Sequence, residues 1–171
     1  MHDESVEDEV LRLKTLQAHE TLARTDYLRG VHRLSLELSE RELSVALTVR
    51  PETIRDVLEE AGRLPAVRDG FHGGDPIEIV NRFVAGQITH EQVVDELTRW
   101  PYAPSHQLDG PLDDILGTVP GSFDDVARTA RAGLLPPDVY IEILDRREAQ
   151  SSSNNQNVPL EAITDQPELH S

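Results

Sequence analysis

Residues 40–58 read ERELSVALTVRPETIRDVL, and the spacing of their apolar side chains decides the fold class. Leu43 and Leu47 lie one helical turn apart, and Ile54, Val57 and Leu58 resume that period after a break containing Thr48, Val49 and Arg50. Ser39 and Glu42 have the spacing of a capping box, in which the hydroxyl accepts from the Glu42 amide and the carboxylate accepts from the Ser39 amide. A helix therefore starts at Glu40. Pro51 suits the first turn of the next helix, where its missing N–H costs nothing. That second helix is predicted to reach Ala61, with Gly62 as its left-handed cap.

Working outward towards the N-terminus, Tyr27, Val31, Leu34 and Leu38 share one face of a helix predicted over residues 26–38. With the pair after it, this makes a trihelical unit over residues 25–70. Before it, Val6, Val10, Leu13 and Leu16 recur at helical spacing in a polar helix within residues 1–24. That helix reads either as a dimerisation arm, with a homodimer as its consequence, or as a solvated helix packed on the domain behind it.

Towards the C-terminus the chain states one pattern twice. Gly74-Asp75-Pro76 opens a helix that stops at Ala85-Gly86, and Ile88-Thr89-His90-Glu91 starts another that runs to about Arg99. Gly121-Ser122-Phe123 opens a helix that stops at Ala132-Gly133, and Pro136-Pro137-Asp138 starts another that runs to about Arg147. Two helical hairpins over residues 74–148 follow, joined by a Pro-rich loop at 101–120, with duplication and shared punctuation both open as the origin of the likeness. Residues 149–171 are rich in Ser, Asn and Gln and are expected to form a disordered tail. The predicted architecture is all-α: an N-terminal helix, a helix-turn-helix domain, two helical hairpins and that tail.

Charge is distributed unevenly over the 171 residues, whose net charge is −16. Residues 24–68 hold eight Arg against eight acids, residues 1–23 hold two bases against six acids, and residues 69–171 hold six bases against eighteen acids. Half of the basic charge thus sits in the trihelical segment. Cysteine is absent, which removes disulfides, thiolate metal sites and Cys nucleophiles. No apolar run is long enough to span a bilayer, and the acidic start MHDESVEDEV differs from a basic signal sequence, so a cytoplasmic protein with no membrane partner is expected. His72-Gly73-Gly74-Asp75 is read as a loop, because no second group of ligands has metal-site spacing. No nucleophile–base arrangement or phosphate-cradling Gly-rich loop is present, so neither catalysis nor a cofactor or metal is expected.

The 40–58 segment resembles the helix-turn-helix of bacterial and phage regulators. The positions that hold the two helices of that unit together fall on Leu43, Leu47, Val49, Ile54 and Val57, with Ser44 as the small residue at the crossing. Thr48 stands where Gly is usual in the turn. The resemblance implies that the second helix enters the major groove, and it assigns DNA contact to Arg41, Arg50, Thr53 and Arg55, with Glu52 and Asp56 opposing it. Arg29, Arg33, Arg41, Arg50, Arg55, Arg63 and Arg68 are expected to share a face. The layout, a DNA module followed by an acidic partner-binding region, is similar to that of antitoxins, which implies a protein partner such as a basic toxin. The segment AGQITHE at residues 85–91 also looks like a helix-to-helix turn of antitoxins of Fic-type toxins. The inhibitory Ser/Thr-x-x-x-Glu-Gly/Asn pattern of that family is missing, since Thr53 follows the Thr48 to Glu52 spacing. Trp100 and Tyr102, an aromatic pair at a helix end, are candidate partner-binding residues, with a role as core anchors as the alternative. A stand-alone repressor and an acidic structural adaptor are the other functions compatible with this layout.

Overall fold

The computed structural model describes residues 3–103 and 121–155. Within them the chain is all-helical, with seven helices and no strand: α1 Asp3–Leu34, α2 Glu40–Leu47, α3 Pro51–Ala61, α4 Pro76–Val84, α5 His90–Arg99, α6 Phe123–Arg131 and α7 Pro137–Asn155.

The two helices expected before residue 39 are one. Thr25, which could have capped a new helix, donates its hydroxyl to the Thr21 carbonyl one turn back (3.0 Å), as Thr21 does to Gln17 and Thr15 to Leu11. With its hydroxyl satisfied inside the helix, Thr25 leaves nothing to stop α1 before Leu34. The chain then turns through Ser35–Leu38, where the Leu38 amide still reaches the Leu34 carbonyl (2.9 Å). A boundary at residue 24 therefore falls inside a helix.

Two apolar cores flank α1. The first joins Leu28 and Val31 of α1 to Leu43 of α2 and to Ile54, Val57 and Ala61 of α3, with Leu47 and Val49 packed against it. The second joins Ile79 and Val80 of α4, Val93, Val94 and Leu97 of α5, Val126 of α6, and Val139 and Ile143 of α7, together with Ile88, Leu135 and Trp100. In this second body α4 packs on α6 and α5 on α7, so each helix of one hairpin meets its counterpart in the other.

The likeness between the hairpins extends to hydrogen bonds. The Gly74 amide donates to Glu78 (2.8 Å) and the Gly121 amide to Asp125 (2.7 Å), while Gly86 and Gly133 end α4 and α6 with φ of 70° and 66°. The correspondence weakens in the second helix of each pair: Val94 is buried, and its counterpart Ile141 is exposed.

Gly62 is right-handed (φ −65°, ψ −15°), because the chain leaves α3 through a further turn that carries Leu64 back to the core. α7 also runs further than expected. Ser151 donates to the Arg147 carbonyl (3.0 Å), and α7 continues through the Ser run to Asn155. The loop at 104–120 and the tail from 156 onward lie outside the described residues. Among the described residues no helix is long and apolar enough to cross a membrane.

Candidate nucleic-acid interface

The turn between α2 and α3 is closed from both sides. The Ser44 hydroxyl donates to the Val49 carbonyl (2.6 Å) and the Val49 amide donates to the Ser44 carbonyl (3.1 Å), so this small buried residue sews the crossing together. Thr48 takes the left-handed conformation (φ 57°, ψ 39°) that the turn requires. Upstream, both capping-box bonds form: the Glu42 amide reaches the Ser39 hydroxyl at 3.4 Å, and the Ser39 amide reaches Glu42 at 2.9 Å. The hydrogen bonds from Ser39 hold the Glu42 carboxyl below the usual carboxylate range.

The four residues assigned to DNA contact have different surroundings. Arg41 and Arg50 are exposed and form no ion pair among the described residues, Thr53 is half-buried, and Arg55 is exposed but pairs with Glu40 at 3.4 Å. No side chain caps the start of α3, so the amides of Glu52 and Thr53 leave the helix end without a side-chain acceptor. The outer face of α3 carries Glu52, Arg55, Asp56 and Glu59, three acids to one base.

The expected seven-arginine face does not assemble. Arg63 pairs with Glu59, Arg68 stacks over the Trp100 ring 5.2 Å from its centroid, Arg55 meets Glu40, and Arg29 turns inward. Arg33, Arg41 and Arg50 have no ion-pair partner among the described residues. The physical reason is local: each diverted cation found an acid or an aromatic ring within reach on a neighbouring turn or element.

Arg29 ends in the most connected polar cluster of the molecule. Its guanidinium makes a two-pronged bond to Glu78 (2.5 and 2.7 Å), and Glu78 also accepts from Arg82 (2.7 Å) and from the Gly74 amide (2.8 Å). Arg82 reaches Asp26 of α1 as well (2.8 Å). Glu78 is only 8 % exposed. Burial opposes its ionisation, but the bonds from Arg29, Gly74 and Arg82 outweigh burial and hold its carboxyl below the usual range. This cluster joins the trihelical unit to the second body, and sequence reasoning missed it because Arg29 and Glu78 lie 49 residues apart.

The His72–Asp75 loop is structural in this arrangement. A Cβ on Gly74 would sit 2.4 Å from the Pro65 carbonyl oxygen, so only Gly lets the loop pass. His72 binds the buried Glu96 through both its amide (2.8 Å) and Nδ1.

Trp100 and Tyr102 face inward. Trp100 is 7 % exposed and meets Phe71 edge-on, and the Tyr102 hydroxyl donates to the Leu97 carbonyl (2.7 Å) beneath the Arg147 guanidinium. Burial pushes the Tyr102 phenol up against the opposing charge of Arg147. Trp100 belongs to the second core and the half-buried Tyr102 packs against it.

No protein-family model, curated protein or solved structure matches the chain.

Proposed function

We propose that this protein is a non-enzymatic regulator of antitoxin layout, in which the α2–α3 unit binds DNA and the acidic remainder binds a basic partner protein. The observation that supports the DNA half is the open start of α3: uncapped amides beside unpaired Arg50, on a helix held by the Ser44–Val49 stitch. Helix N-termini attract phosphate, and recognition helices touch base edges with their first residues. Arg50 is then the guanine or phosphate ligand, and Glu52 suits the amino group of cytosine. The acidic outer face of α3 restricts contact to that end of the helix, and few cations are left to neutralise phosphates.

Two consequences follow from that geometry. Affinity depends weakly on salt, with a slope of log K against log salt of roughly −1 to −3, because each neutralised phosphate contributes about −0.9. Specificity rests on Arg50. In vitro selection from a randomised duplex library, followed by anisotropy titration at low and moderate salt, tests both. Enrichment of a sequence that Arg50→Ala binds at least about tenfold more weakly supports the reading. No enrichment, or an Arg50→Ala variant that binds like the wild type, overturns it.

A second reading is favoured by Glu52, Asp56 and Glu59, which share the outer face of α3. On that reading the trihelical unit is itself a docking module for a basic protein surface, and the same selection experiment returns no enriched DNA.

A further inference from the structure

The first turns of α1 carry apolar side chains that no other described residue covers. Val6, Val10, Leu11, Leu13 and Leu16 are between 44 % and 61 % exposed, which places five of the twelve large exposed hydrophobics among the described residues within eleven positions. Val6, Val10, Leu13 and Leu16 recur at intervals of three or four, so they form one stripe along the helix. Further along α1, Ala18 and Leu22 are buried. One turn after Val10, at the border of the stripe, the Lys14 ammonium donates to the carbonyls of Ala132 and Gly133 (2.9 and 3.3 Å) at the end of α6. This bond fixes the arm to the body while the stripe stays open, so a ligand meets a helix that is already ordered.

Charge decides what covers the stripe. Glu7 and Glu9 flank it, and of the two bases in this region Arg12 is paired with Glu9 and Lys14 is used at the end of α6. A second copy of the arm would bring the same acids against these, in a chain whose net charge is already −16. A basic surface meets no such repulsion.

We propose that residues 6–16 of α1 are the docking surface for a basic segment of a partner protein, whose apolar side chains cover the Val6–Val10–Leu13–Leu16 stripe while its Lys and Arg side chains meet Glu7 and Glu9. The proposal rests on the partner-binding half of the proposed function and supplies that half with a place; the DNA half is not involved. Apolar contact sets the location and charge sets the choice of partner.

The test uses the full chain, the double variant Val10→Ser with Leu13→Ser, and two labelled probes of equal length: an amphipathic Leu/Lys peptide and its Leu/Glu counterpart. Both substitutions are at exposed sites and leave the charge unchanged, so attraction to the acidic surface in general is the same in both proteins. Circular dichroism verifies that the variant is folded. The expected result is that the Leu/Lys peptide binds the wild type, weakens with salt, and binds the variant about tenfold or more less tightly, while the Leu/Glu peptide does not bind. Equal binding of the Leu/Lys peptide to both proteins overturns this surface and leaves a basic partner to bind elsewhere. No binding to either protein overturns the surface and the partner-binding half together. Sedimentation equilibrium adds a further outcome: a dimer that the double variant abolishes shows that a second copy covers the stripe, which also overturns the proposal.

Discussion

Thr48 is the most direct probe of the turn on which the trihelical unit depends. It is the one non-Gly residue with positive φ among the described residues, its side chain is exposed, and it makes no side-chain hydrogen bond. Holding an L-residue left-handed costs roughly 1–2 kcal/mol. Glycine removes that cost and gives back about 0.5–1 kcal/mol through the greater freedom of the unfolded chain. The balance predicts that Thr48→Gly stabilises the protein by about 0.5–1 kcal/mol. With a urea dependence on the order of 1–3 kcal/mol per molar, the unfolding midpoint rises by a few tenths of a molar. Thr48→Ala keeps the left-handed penalty and should stay within about 0.5 kcal/mol of the wild type. The contrast between the two variants carries the information, since both remove the same exposed hydroxyl and methyl. If Thr48→Gly proves no more stable than Thr48→Ala, the turn is not left-handed, and the argument for a closed α2–α3 unit fails with it.

Three further expectations come from the polar network and the caps. Replacing Glu78 by Gln leaves Arg29 without a carboxylate and Arg82 with Asp26 alone, at a cost of about 2–3 kcal/mol, below the 3–5 of a fully enclosed pair because both arginines still reach solvent; chemical denaturation at neutral pH measures it. Because the Glu78 carboxyl is held below its unfolded value of about 4.3, its contribution is complete above that pH and is lost as pH falls through the lower folded value, so the wild type should lose stability more steeply than Glu78→Gln below about pH 4. Gly74→Ala forces its methyl into the Pro65 carbonyl and should lower stability by roughly 1–3 kcal/mol or more, with Gly86→Ala as a comparison in open space that carries only the left-handed penalty. Ser39→Ala should cost about 0.5–2 kcal/mol, and an unchanged midpoint would mean that α2 does not depend on this cap.

Where local chemistry dictates structure, the sequence was legible. The Ser39 capping box, Pro51 at the first turn of α3, and the stops at Gly86 and Gly133 each act through bonds or dihedrals within a few residues, and α2 to α6 begin and end close to those signals. The misreadings have the same scale and a different cause. Thr25 and Ser151 belong to residue types that end helices when they bond to a free amide and continue them when they bond to the carbonyl one turn back. Sequence does not choose between these two partners, and here both residues took the carbonyl.

The candidate interface was less legible, because its function depends on which cations remain free. Counting eight Arg against eight acids in residues 24–68 describes a neutral segment, yet that count cannot say that Arg29 leaves the segment altogether to neutralise Glu78, or that Arg24 closes on Glu60. Each such pairing requires the third dimension: α1 must lie against α3 and α4 before Arg24 and Arg29 meet their acids. The cost of burying Glu78 draws in two guanidiniums, and that demand removes Arg29 from the surface that composition had assigned to it. The second body therefore takes one cation from the surface of the first through a single carboxylate. A Glu78→Gln variant that still folds would release Arg29, so its DNA affinity at low salt should rise relative to the wild type if Arg29 lies near the bound phosphates, and should stay unchanged if contact is confined to the start of α3.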